Sequence, residues 1–234
     1  MIVDERMTAY ICSLDSGNTP LLNSIEQQAH KEFVPVTRRE TQALLKVLLA
    51  AIRPERILEV GTAVGFSAIL MAQYNPVSCQ ITTVEKYKPR ILSAKEHFRR
   101  AGMEDRITLL EGDAQDILPE LSGPYDLIFM DAAKGQYLHF LPQAARLLRT
   151  GGVLVSDNVL QDGDIIESRY AVTRRNRTIH ARMREYLYTL THSALWTTSV
   201  LTVGDGLTIS VRANALIKHH KRKIAMAIKE GQKK

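Results

Sequence analysis

Glu59-Val60-Gly61-Thr62-Ala63-Val64-Gly65-Phe66-Ser67 is the stretch on which the fold turns. Ahead of it Arg56–Val60 is a short apolar run without alternation, and behind it Phe66–Gln73 carries a helical pattern. A strand that enters a helix through a glycine-punctuated turn is the first unit of an open α/β sheet, and such sheets hold ligands at the carboxyl ends of their strands. Glycines there let the main chain approach a ligand closely.

The same alternation continues along the chain. Gln80–Val84, Ile107–Leu110, Tyr125–Met130 and Val153–Ser156 read as strands, and Lys88–Ala101 and Leu138–Leu148 as helices. Strands that do not alternate, separated by helices, indicate a parallel sheet covered on both faces. Trp196–Val203 and Leu207–Val211 flank Gly204-Asp205-Gly206 and read as a hairpin that closes the sheet with an antiparallel strand. The expected class is α/β, Rossmann-like, with a seven-stranded, mostly parallel sheet. The first 55 residues read as helices: Leu44, Leu45, Val47, Leu48 and Ala51 form a stripe, with Thr37 and Glu40 as a capping box and Pro54 as the stop. One domain over residues 1–213 with a helical N-terminal extension follows, and a basic tail over 214–234 whose Lys218–Lys234 part reads as a fraying helix.

Composition narrows the class. A chain of 234 residues, 45% hydrophobic, holds one α/β domain with a full core. Its two cysteines, Cys12 and Cys79, have neither disulfide-framework nor zinc spacing. The start Met1-Ile2-Val3-Asp4-Glu5-Arg6 lacks a signal-peptide pattern and no run reaches a membrane span, so a cytoplasmic protein without membrane contact is expected. The net charge of +6 is focused: the tail from Asn214 carries all of it, and residues 1–213 sum to zero. Within them Arg169, Arg174, Arg175, Arg177, Arg182 and Arg184 form a run without an acid. Such a run suits an anionic partner, or is simply a solvated helix face.

The first turn has Gly-x-x-x-Gly spacing, unlike the Gly-x-Gly-x-x-Gly that seats a dinucleotide pyrophosphate. Glu59 would repel phosphate and suits a cation, and S-adenosylmethionine is cationic. Glu85, at the end of the second strand, is placed to accept from both ribose hydroxyls, and Glu111-Gly112-Asp113-Ala114 lies where an adenine would rest. Glu59–Ser67, Glu85 and Gly112-Asp113-Ala114 resemble the cofactor motifs of class I methyltransferases over roughly residues 30–213. The resemblance implies S-adenosylmethionine contacts at Val36, Glu59, Gly61, Gly65, Ser67, Glu85, Asp113, Ala114 and Asp131.

The fourth strand runs into Asp131-Ala132-Ala133-Lys134 and the fifth into Asp157-Asn158. Two carboxylates and an amide on one rim make an all-oxygen set for Mg²⁺, or for Mn²⁺ or Ca²⁺; acids at strand ends also serve as helix caps. These residues resemble the metal-dependent O-methyltransferases that include the catechol and caffeoyl-CoA enzymes. The resemblance implies Asp131, Asp157 and Asn158 as metal ligands, Lys134 as general base with Asp131 beside it in the catalytic set, and a homodimer.

After the Asp-Asn pair, Thr173–Leu187 replaces the short substrate loop usual in small-molecule members. Ile179, Met183, Leu187 and Leu190 are expected to be buried, with Arg174, Arg177 and Arg184 outside and His180 on the helix surface. This segment resembles the bacterial tRNA 5-hydroxyuridine methyltransferases, which make wobble 5-methoxyuridine. The resemblance implies a tRNA anticodon loop as partner, contacted by Arg174, Arg175, Arg177, Arg182 and Arg184, with Tyr170 or Tyr137 as a stacking candidate. A catechol-like or acyl-CoA substrate is the alternative, since CoA is also anionic. A fold-retaining binding module is disfavoured by the intact acids at 59, 85, 131 and 157, and a nicotinamide dehydrogenase by the glycine spacing.

Overall fold

A computed structural model describes residues 3–214; the expected helix over Lys218–Lys234 lies outside the described residues. Seven strands, β1 (Arg56–Val60), β2 (Gln80–Glu85), β3 (Ile107–Glu111), β4 (Tyr125–Met130), β5 (Leu148–Ser156), β6 (Trp196–Leu201) and β7 (Leu207–Arg212), form one sheet in the order β3-β2-β1-β4-β5-β7-β6. Pairings from β3 across to β5 are parallel, and β7 is antiparallel to both neighbours. This is the expected sheet.

Alternate residues of each strand feed two separate cores. Ile57, Phe129 and Val155 pack with α2 (Pro20–Lys31), α3 (Arg39–Ile52), α4 (Phe66–Gln73) and α5 (Lys88–Ala101) through Leu22, Leu45, Ile69 and Phe98. Leu58, Ile128 and Leu154 pack on the other face with α6 (Ala114–Glu120), α7 (Tyr137–Leu147) and α8 (Arg177–His192) through Leu118, Phe140 and Met183. Each fully buried aliphatic side chain contributes about 1.5–3 kcal/mol, so both faces of the sheet are energetically committed and the strands cannot slip. A further helix, α1 (Glu5–Ser13), precedes these and buries none of its residues.

Register then positions the site. Val60 lies opposite Val84 on one side and Met130 on the other, and Met130 lies opposite Ser156. Gly61, Glu85, Asp131 and Asp157 therefore leave four adjacent strands at one level, at the point where strand order reverses between β1 and β4.

Three local expectations are corrected. Arg38, not Thr37, is the N-cap of α3 and makes no side-chain cap bond; Thr37 is buried and its carbonyl accepts from Gln42 Nε2 at 2.7 Å, so its environment is tertiary. The buried stripe of α8 is His180, Met183, Tyr186 and Leu190, one residue out of phase with the expected stripe at two of its positions. His180 is 2% exposed rather than on the surface. Tyr186 moves inward because its hydroxyl meets Ser156 Oγ at 2.6 Å on the underside of β5.

Candidate active site

The carboxyl ends of the strands enclose a cavity of about 670 Å³ whose lining includes Val36, Gly61, Glu85, Asp113, Ala114, Asp131, Lys134, Asp157 and Asn158. The loop after β1 wraps tightly here: Gly61 N and Thr62 N both donate to Val84 O, at 3.1 and 3.2 Å. Glu85 Oε2 accepts from Ala63 N at 2.9 Å, and its Oε1 accepts from Lys86 N and Tyr87 N at 2.9 and 3.0 Å, which fixes the carboxylate at the cavity wall. Asp113 caps α6 through Gln115 N at 3.0 Å and pairs with Lys86 Nζ at 3.0 Å; these bonds hold its carboxyl below the usual aspartate range.

Glu59, Gly65 and Ser67 are not among the residues that line this cavity. Glu59 is fully buried behind the loop, where it accepts from Ser67 Oγ and from Thr83 Oγ1, the latter at 2.5 Å. Gly65 faces Phe98 and Ala94 instead. Glu59 is thus a clamp between the loop, α4 and β2. Burial pushes its carboxyl from an ordinary 4.5 to about 8, against the two hydroxyl hydrogen bonds that favour the charged form. Because the folded state holds this proton more tightly than the unfolded chain does, its stabilisation is complete below pH 4.5 and is lost as pH rises toward 8. Glu59→Gln removes the titration while keeping the shape. The thermal midpoint of the variant, relative to the parent, is expected to climb between pH 5 and 8; a gap independent of pH would show that Glu59 is charged throughout.

The second half of the site carries opposed carboxylates. Asp131 is held by Asn158 Nδ2 at 3.1 Å, and Asn158 reaches it through a left-handed backbone, φ +58°. Asp157 Oδ1 accepts from Asn158 N at 2.8 Å. Burial raises both carboxyls above the usual range, and the charge of Asp131 raises Asp157 further. Lys134 Nζ lies 3.0 Å from Asp205 Oδ2, on the Gly204-Asp205-Gly206 turn, and Asp205 also accepts from Asp162 N. Arg38 pairs with Asp162 at 2.9 Å, and both line the cavity.

Sequence reading took Asp205 only as part of a hairpin turn and passed over Arg38 and Asp162. The glycines on both sides of Asp205, each at positive φ, were the available signal. Tyr137 is corrected from stacking candidate to scaffold: it is fully buried, with its hydroxyl 3.2 and 2.9 Å from the carbonyls of Met130 and Asp157.

A hard cation fits this corner: buried Asp157 lies in the field of Asp131 on the cavity wall, a positive charge between them would offset that repulsion, and the third group is a neutral amide. Among the described residues no set of three His, Cys, Asp or Glu side chains gathers at ligand spacing, so the donor set rests on Asp131, Asp157 and Asn158.

The arginine segment divides into two kinds. Arg177 donates to Val172 O at 3.3 Å, Arg182 to Gly135 O at 3.1 Å, and Arg184 to Ile165 O at 3.1 Å, so these three brace the loop and α8. Arg174 and Arg175 are exposed. Tyr170 is 84% exposed with the Arg177 guanidinium 5.9 Å from its ring centroid. Arg182 anchors α8 one residue from Lys134, which sets the segment against the cavity wall.

The chain is 37% identical over 215 residues to a catechol O-methyltransferase of Mycobacterium tuberculosis, covering 89% of each chain. It is 29% identical to a caffeoyl-CoA O-methyltransferase of Populus kitakamiensis, covering 72% of this chain and 74% of that one. The solved structure of the O-methyltransferase TomG of Streptomyces achromogenes, in complex with S-adenosylmethionine, superposes with a TM-score of 0.79 at 26% identity, over 89% of this chain and 96% of that one. With the O-methyltransferase family model matching residues 13–213, the whole sheet and both halves of the cavity fall within the match, and the chain belongs to the O-methyltransferase family.

Proposed function

We propose that the protein transfers a methyl group from S-adenosylmethionine to the 5-hydroxyl of wobble 5-hydroxyuridine in tRNA, with the help of a divalent cation such as Mg²⁺. The observation that carries this reading is the arginine segment: α8 is anchored by Arg182 to Gly135 O, one residue from Lys134, and Arg174 and Arg175 just before that helix are exposed. Family membership supports the methyl transfer, and TomG, a relative in fold, was solved with S-adenosylmethionine. In 5-hydroxyuridine the 5-hydroxyl and the 4-carbonyl are neighbouring oxygens, as in a catechol, so one site chemistry serves both.

Val36, Gly61, Glu85, Asp113 and Ala114 would hold the cofactor, and Asp131, Asp157 and Asn158 the cation. The bound cation supplies Lewis acidity that lowers the pKa of the acceptor hydroxyl. Lys134, entering the step as the free amine, takes the acceptor's proton as the new O–C bond forms and the methyl–sulfur bond breaks. Asp205, 3.0 Å from Nζ, orients Lys134. Arg38 and Asp162, paired at 2.9 Å, also line the cavity. Arg174 and Arg175 attract phosphate, and their planar forks match its oxygens.

The name of the Mycobacterium tuberculosis relative favours a second reading, a small catechol-like acceptor. Labelled methyl transfer to tRNA bearing 5-hydroxyuridine, beside a catechol and caffeoyl-CoA and with and without chelator, separates the two. Transfer to tRNA alone, stopped by chelator, is the expected result. Arg174→Ala/Arg175→Ala is expected to raise KM for tRNA about tenfold or more, in a salt-dependent way, and to leave any residual catechol turnover unchanged. Equal losses on both acceptors would remove the arginine argument.

A further inference from the structure

The turn that ends α2 carries a residue that the fold does not explain. Phe33 N donates to His30 O at 3.2 Å and Val34 N to Ala29 O at 2.8 Å, with Phe33 left-handed at φ +54°. Glycine is the usual residue at that position, because a Cβ strains the backbone there. No packing offsets the strain: the Phe33 ring is 94% exposed, more than any other large apolar side chain among the described residues. Strain that the surrounding structure does not repay is a pointer to function. The place is the rim of the active-site cavity. Phe33 does not line the cavity, but Pro35, Val36, Thr37 and Arg38 all do, and two residues of chain span at most about 7 Å. The same segment abuts the acceptor half: Arg38 pairs with Asp162 at 2.9 Å, and a Cβ added at Gly204, beside Asp205, would lie 3.6 Å from Arg38 Cβ. Asp205 in turn holds Lys134.

We propose that Phe33 stacks on an unpaired base of the RNA that stays outside the cavity while the 5-hydroxyuridine lies within it. A small acceptor enclosed by the cavity leaves nothing to meet a ring on the rim, whereas a polymer does. The surroundings of the ring agree. Lys31, two residues before it, is exposed and offers an ammonium to a backbone phosphate. Asp162, the partner of Arg38, opens the segment that carries exposed Tyr170, Arg174 and Arg175. Exposed aromatic rings among cations are how proteins hold single-stranded nucleic acid. The inference rests on the tRNA reading given above.

The test uses the full chain and an anticodon stem-loop RNA bearing 5-hydroxyuridine, together with versions made abasic at each other loop position in turn. Phe33→Gly removes the ring and puts the favoured residue at the left-handed position, so its thermal midpoint is expected at or above the parent's. Its KM for the intact RNA is expected to rise about tenfold, in line with the contribution of one stacked base, and its KM for S-adenosylmethionine to stay at the parent's value. One abasic RNA is expected to raise the parent's KM by that same factor and to leave Phe33→Gly indifferent. Phe33→Trp is expected to keep the parent's KM for RNA, with indole fluorescence quenched as the RNA binds. An unchanged RNA KM in Phe33→Gly overturns the proposal while the tRNA reading stands, and a shift in the variant's sedimentation would then assign the ring to a protein contact. A raised KM that no abasic RNA reproduces in the parent overturns it too, since the ring then meets no base. If the parent methylates no RNA at all, the tRNA reading fails and takes this inference with it.

Discussion

Asp131→Ala leaves a folded protein whose methyl transfer falls by more than about a hundredfold, since even a residue that merely supports a metal ligand is worth 10–100-fold. The argument is electrostatic. Asp131 and Asp157 leave neighbouring strands at one level, and each carboxyl is pushed up by burial, Asp157 also by the charge of its neighbour. A protein gains no stability from two like charges held side by side, so the pair points to a ligand whose charge offsets theirs. Removing Asp131 relieves the repulsion, and the metal-free variant is expected to melt no lower than the metal-free parent. Chelator should reduce the parent to the level of the variant and leave the variant unaffected. Parental turnover in Asp131→Ala, equally indifferent to chelator, would sink the cation reading and leave the fold and the family untouched.

Much of this site is legible in the sequence because strand ends are legible. β1 and β4 have the bounds read from apolar runs alone, and β2, β3, β6 and β7 differ by one or two residues. Once the parallel sheet is granted, residues just past strand ends converge, which is how Gly61, Glu85, Asp131 and Asp157 are found without coordinates. The errors share one physical cause: sequence spacing gives the level of a residue, not the direction of its side chain. Glu59 is the last strand residue but one, so its carboxylate points down beside Ser67 and Thr83 rather than up into the cavity. His180 and Tyr186 are polar enough to suggest solvent, yet both are buried, and the Tyr186 hydroxyl meets Ser156 on β5. Half of the arginine run looks free in the sequence but is bound to carbonyls of distant segments, Gly135 and Ile165 among them. Asp205 joins Lys134 from seventy-one residues away, a pairing that no local pattern encodes.

Gly61→Ala is expected to be the most damaging glycine-to-alanine change among the described residues. Gly61 has φ +104°, a region closed to residues with a Cβ. The added carbon would overlap the carbonyl oxygen of Asp131, 2.9 Å from the carbonyl carbon and 3.3 Å from Ala132 Cα. Neither side can yield: Gly61 N is tied to Val84 O at 3.1 Å and Asp131 N to Val60 O at 3.0 Å, so relief would require prising β1 from β4 at the topological switch point. Backbone strain of about 1–3 kcal/mol adds to overpacking of about 1–3 kcal/mol. Against a typical total stability of about 5–15 kcal/mol, that is enough to lower the denaturation midpoint severely and to displace Asp131 even in molecules that stay folded. Gly102→Ala is the matched control: Gly102 is also left-handed, at φ +62°, but has nothing within 4 Å of an added Cβ. It should cost only about 1 kcal/mol and leave methyl transfer intact. Equal midpoints for the two variants would mean that the close approach of β1 and β4 at Gly61 is not what holds the carboxylate corner in place.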